Sequence, residues 1–211
     1  MNKYSTEQEN FWAGEFGNEY IFRNQSSTIL ASKTAFWAQC LRKCNLNNPN
    51  EKNILEFGSN IGLNLRAIST LFPNINMTAV EINDKAASIC KKIEGVEVFN
   101  GSIFDFESEK KFDLTFTAGV LIHINPDKLT DVYEKLYQYS KRYILISEYY
   151  NPTPIEVSYR GNSDRLFKRD FAGELMDKYA DLELIDYGFA YHRDNNFPDD
   201  DLNWFLMEKT H

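Results

Sequence analysis

The chain has 211 residues, with 43% apolar and 26% charged side chains and a formal charge of −8. Such values describe a globular protein with volume for a real core, not a disordered one. They exclude a general nucleic-acid binder, which needs a basic face against the phosphates. No apolar run approaches the length of a membrane span, and residues 1–5 carry no signal-peptide core. A single-domain cytoplasmic protein without membrane insertion is therefore expected. Cys40 and Cys44 lie four apart in a helical pattern and Cys90 falls in another, so all three are read as core thiols, with no disulfide and no metal.

A polar start gives way to an aromatic segment from Phe11 to Asn24, broken by Gly14 and Gly17, that follows neither a helical nor a strand period. It is either a lid over a ligand or an aromatic cover for the core. Ser26-Ser27-Thr28 offers a helix start, and the apolar set Ile29, Leu30, Ala35, Phe36, Ala38 and Leu41 predicts a helix over 28–44. After a loop at 45–50 the pattern alternates. Strands are predicted at 53–57, 77–81, 96–99, 112–117 and 143–147, with helices at about 62–71, 84–92 and 127–139. Strands alternating with helices pair in parallel through right-handed crossovers. Beyond Ser147 the prolines keep 148–154 extended. A polar insertion leads to a helix near 169–179, and runs at 182–191 and 203–208 predict a hairpin-like terminal pair. The expected organisation is an aromatic N-terminal part (1–45), a ligand-binding core (50–148), a substrate-side insertion (149–180) and the terminal pair (181–211).

The stretch Asn53–Asn64 reads as strand, glycine turn, helix, an arrangement that brings backbone N–H groups up to a ligand. Gly58 and Gly62 permit unusual backbone angles and close approach. Asn60 and Leu63 stand where a dinucleotide fingerprint has glycine, which points to a nucleotide-type ligand without a pyrophosphate. Glu81 closes the second strand, beside that turn in a doubly wound sheet, where a carboxylate accepts both hydroxyls of a ribose. Ser102 and Ile103 end the third strand and are placed to meet an adenine edge and face. Thr117 ends the fourth strand, bordering the ligand's reactive end.

In this order and spacing the motifs resemble the class I S-adenosylmethionine-dependent methyltransferases. Glu56-Phe57-Gly58-Ser59-Asn60-Ile61-Gly62 is similar to their first motif, with Asn60 in place of the middle glycine. Ala79-Val80-Glu81 resembles the acidic second motif, and Asn100-Gly101-Ser102-Ile103 the adenine loop, with Ser102 replacing its usual acid. Residues 112–117 look like the fourth-motif strand. A narrower resemblance, to the pseudaminic-acid-biosynthesis-associated methylases, rests on Phe11–Gly17 with Tyr20 and Arg23, on Gly119–Pro126, on Tyr159-Arg160-Gly161 with Asp164–Phe171, and on Tyr187-Gly188-Phe189 with Trp204-Phe205-Leu206.

The resemblance implies an α/β fold: a Rossmann-like, seven-stranded, mostly parallel sheet with an antiparallel last strand and helices on both faces. It implies S-adenosylmethionine as cofactor, with S-adenosylhomocysteine as product, and an acceptor among the sugars or sugar nucleotides of surface-glycan synthesis, which the basic group below makes a small anionic one. Tyr20 and Arg23 are implied to close over the donor, Arg23 near its carboxylate. His123 is the candidate base, because imidazole titrates near neutral pH. Glu148 and Tyr149 are secondary polar candidates. Arg160, Arg165, Lys168 and Arg169 form the concentrated basic group of an acidic chain and suit a carboxylate or phosphate. Two rivals are a nicotinamide-dependent oxidoreductase, disfavoured by the glycine spacing, and a non-catalytic binding protein of the same fold.

Overall fold

The computed structural model describes residues 4–21 and 27–210. Two short helices, α1 (Glu7–Ala13) and α2 (Glu15–Tyr20), precede α3 (Ser27–Cys40). Then come β1 (Asn53–Phe57), α4 (Leu63–Leu71), β2 (Asn76–Glu81), α5 (Asp84–Cys90), β3 (Val96–Asn100), β4 (Phe112–Ala118), α6 (Leu129–Tyr139) and β5 (Ser140–Glu148). A two-stranded hairpin, β6 (Ile155–Glu156) with β7 (Phe167–Lys168), is followed by α7 (Phe171–Lys178), β8 (Leu182–Phe189) and β9 (Asn203–Lys209).

Seven strands form one sheet in the order β3-β2-β1-β4-β5-β9-β8. β1 to β5 pair in parallel, and β9 runs antiparallel to both β5 and β8. The last strand is thus the reversed one, as expected. Side chains alternate across the pleat. Ile54, Leu114, Phe116, Tyr143 and Leu145 face a layer built from α3, α4 and α5. Leu55, Phe57, Ile144 and Ile146 face α6 and α7. Each central strand is therefore covered twice, which is why its sequence is nearly all apolar.

The aromatic N-terminal segment departs from expectation by being helical. Thr6 and Glu9 form a reciprocal capping box that starts α1. Gly14 separates the two helices, and a Cβ at Gly17 would lie 1.9 Å from the Trp12 carbonyl oxygen, so α2 folds back on α1 only with glycine there. Among the buried residues of α1 are Gln8 and Glu9, so its inward face is polar and defeats an apolar-period search. Helix α3 stops at Cys40, and Cys44 lies in the turns beyond it, where Asn45 N–H donates to the Tyr143 hydroxyl at 3.1 Å. Helix α6 starts two residues later than expected, after a 3₁₀ turn at Pro126–Lys128 capped by Asn125.

Candidate active site

The strand order reverses between β1 and β4, and open α/β sheets bind ligands at the carboxyl ends of their strands beside such a switch point. A cavity of about 590 Å³ lies there. Its walls come from the turn after β1, the ends of β2 and β3, the loop after β4, helices α1 and α2, the tip of the 155–168 hairpin and the loop between β8 and β9. That volume suits a small molecule.

Gly58, Asn60 and Gly62 all have left-handed backbone, with φ of 75°, 48° and 77°. A Cβ at Gly58 would stand 2.5 Å from the Val120 side chain. The glycine thus serves both the turn and its packing against the loop after β4. Gly58 and Asn60 line the cavity; Gly62 instead caps α4, with the space beside it filled by Cys90 and Ile93.

Glu81 lines the cavity and clasps the turn. One carboxylate oxygen accepts the Asn60 N–H and the other the Asn83 N–H, both at 2.7 Å. A carboxylate offers about four acceptor positions, so two remain for a ligand diol. Burial pushes the carboxyl up to about 7, against the pull of those N–H donors. Ser102 and Ile103 also line the cavity, and the Ser102 hydroxyl donates to Glu9 at 2.6 Å. Tyr20 lines it too, edge-on to Trp12. Arg23 lies outside the described residues.

Three expected contacts are buried behind the wall. Glu56 donates nothing to the cavity: its carboxylate accepts the Asn64 side-chain N–H at 2.7 Å, and Asn64 in turn accepts the Trp37 indole N–H at 3.0 Å. Burial pushes the Glu56 carboxyl up to about 8. Asn64, which does line the cavity, is the residue this chain presents there. Thr117 is enclosed in β4, and Ala118 and Gly119 border the cavity in its place. Glu148 is fully enclosed at the end of β5 and accepts the backbone N–H groups of Val120, Leu121 and Ile122 at 3.0, 3.0 and 3.4 Å. It therefore fixes the loop that carries His123.

The basic cluster is dispersed. Arg160, at the left-handed hairpin tip (φ 52°), lines the cavity and forms no ion pair among the described residues. Arg165 pairs with Glu7 at 3.1 Å and covers the Phe11 ring. Arg169 pairs with Glu174 at 2.6 Å, and Lys168 lies over the Tyr149 ring. None of these three lines the cavity. The adverse charge before α7 is offset by Glu174 and by the Asp170 N-cap, with no anion required. Tyr149 does reach the cavity, as do Lys33 and Asp199, which pair at 2.8 Å.

His123 lines the cavity between Trp12 and Tyr159, with ring centroids 4.6 and 5.0 Å away. Its Nδ1 is 2.5 Å from the Arg165 carbonyl oxygen. A carbonyl only accepts, so Nδ1 carries the proton and Nε2 keeps its lone pair. Burial pushes the imidazole down to about 4, so it is neutral at physiological pH. Among the described residues, no group of His, Cys, Asp and Glu could hold a metal ion, and no helix is long and apolar enough to cross a membrane.

Comparison with known proteins agrees with this fold. Residues 54–142 match the family model of a methyltransferase domain. The fold is similar to that of magnesium protoporphyrin IX methyltransferase from Synechocystis PCC 6803, solved with bound S-adenosylmethionine, at 9% identity and TM-score 0.69 over 100% of both chains. The plantazolicin methyltransferase, solved with S-adenosylhomocysteine, aligns at 15% identity and TM-score 0.65 over 97% of this chain and 94% of that one. The 1,6-didemethyltoxoflavin-N1-methyltransferase of Burkholderia thailandensis aligns at 14% identity and TM-score 0.67, over 97% and 87%. No curated protein sequence matches the chain. Residues 54–142 thus match a methyltransferase-domain model, and the chain as a whole shares the fold of these class I methyltransferases.

Proposed function

We propose that the protein transfers the methyl group of S-adenosylmethionine to a small anionic acceptor in the cytoplasm. By the sequence resemblance, that acceptor is a sugar or sugar nucleotide of nonulosonic-acid type. The observation that carries the donor reading is Glu81, a cavity carboxylate that ties the left-handed turn after β1 to the end of β2 and retains acceptor positions for a diol. The bound donor supplies an electrophilic methyl on a sulfonium. Asn60 and the Gly58 turn hold its amino-acid end, Ser102 and Ile103 its base, and Tyr20 closes over it.

The chain must then position the acceptor and, for a hydroxyl, remove its proton. Arg160 supports the anionic reading because it lines the cavity without an acidic partner among the described residues. Tyr149 shares that wall, and the bare Nε2 of His123 accepts the proton.

The test incubates the purified protein with methyl-labelled donor and a cell extract fractionated by charge. Label is expected in sugar-containing fractions retained by an anion exchanger. Arg160→Ala is expected to raise the acceptor KM about tenfold with kcat unchanged, the signature of lost uniform binding. Label confined to neutral or cationic fractions would contradict the acceptor class.

A further inference from the structure

The Ser102 position at the end of β3 carries no charge of its own, yet an anion stands beside it. Glu9 comes from α1, 93 positions earlier in the chain, and its Oε1 accepts the Ser102 hydroxyl at 2.6 Å. The residue is 8% exposed, lines the cavity and has no cationic partner among the described residues. Burial pushes its carboxyl up, but the hydroxyls of Ser102, Ser5 and Thr6 and the Thr6 N–H outweigh burial and hold it below the usual carboxylate value. Glu9 is therefore an ionised group in the cavity wall. Its Oε2 accepts three donors, from Ser5 and Thr6, at 2.8 to 3.0 Å. Among the described residues Oε1 accepts only Ser102, which leaves one of its two lone-pair directions open.

An ionised carboxylate with an open acceptor position and no counter-charge among the described residues is a place where a ligand N–H gains a charge-assisted hydrogen bond. We propose that Glu9 reads the exocyclic amine of the donor's purine, which makes the N-terminal helix α1 part of the donor site. The inference rests on the donor reading above. Glu81 and Asn100 are register partners on β2 and β3, and Gly101 N–H donates to the Glu81 carbonyl at 3.0 Å. A ribose held by Glu81 thus directs its base toward Ser102, with Ile103 and Phe104 as apolar lining. An amine there donates to Glu9, whereas a carbonyl at the same ring position is repelled. Donor binding and docking of α1 become one event.

Calorimetric titration with S-adenosylhomocysteine and S-inosylhomocysteine, which differ at that ring position, tests this. Wild-type protein is expected to prefer the adenosyl compound by about tenfold or more, the worth of one charge-assisted hydrogen bond. Glu9→Gln preserves the capping box, because an amide oxygen also accepts the Thr6 N–H, and adds a donor for the inosyl carbonyl. Its preference is expected to fall to near parity while the melting temperature holds. Glu9→Ala combined with Ser102→Asp returns an acid to the same place and is expected to restore the preference. An unchanged preference in Glu9→Gln, or none in the double variant, overturns the inference and leaves the donor reading standing. Wild-type protein that binds neither compound overturns the donor reading, and this inference with it.

Discussion

Glu81→Ala is expected to weaken S-adenosylhomocysteine binding by about 100-fold or more. Two charge-assisted hydrogen bonds to a ribose are removed, each worth about 1.5–3 kcal/mol, and roughly 1.4 kcal/mol is tenfold. The Asn60 and Asn83 N–H groups also lose their acceptor, which loosens the turn that frames the site. Because burial raises the Glu81 carboxyl to about 7, the unliganded group is partly protonated at neutral pH. Ribose hydroxyls favour the ionised form. Affinity is therefore expected to rise as pH increases through about 7 and then level, with proton release on binding below that point. Calorimetry in buffers of different ionisation enthalpy measures the release. An unchanged donor affinity in Glu81→Ala removes the ribose assignment.

His123→Asn is expected to lower kcat toward a hydroxyl acceptor by about 100-fold, the lower end of general-base catalysis, with donor affinity unchanged. Asparagine can still donate to the Arg165 carbonyl that now holds Nδ1, so the loop keeps its anchor while the base is gone. The lower end applies because burial has reduced the basicity of the imidazole, whose value falls from 6.5 to about 4. A lowered value means that the inactive imidazolium forms only as pH falls through about 4. The His123 contribution to kcat is then flat across the neutral range. Near-full turnover by His123→Asn would remove the base role. Glu148 belongs to the same arrangement, since its three backbone N–H contacts hold the segment leading into His123.

Much of this was legible in the sequence because its signals are local. Apolar runs such as Ile54–Phe57 and Tyr143–Ile146, punctuated by glycine, asparagine and proline turns, place the strands to within three residues, the largest error being the start of β5 at Ser140. Glu81 was legible for the same reason: it ends a strand whose neighbour carries the glycine turn. Depth was not legible. Glu56, Thr117 and Glu148 occupy strand ends just as Glu81 does, and only packing decides which end opens onto the cavity. Pairing across the fold was equally hidden. Arg165 and Arg169 look like a substrate patch until Glu7, from the other end of the chain, and Glu174 are seen to engage them. Helix α1 left one sequence signal, the Thr6-x-x-Glu9 capping pattern, but its buried polar face carries no apolar period. The hairpin of β6 and β7 has two residues per strand, too few for any period to register.

The donor is the central claim, and titration of the wild-type protein with S-adenosylmethionine and, separately, with NADH tests it most directly. Saturable binding of S-adenosylmethionine at one site per chain, with no heat from NADH, is the predicted result. Tight NADH binding with none of the methyl donor would contradict it.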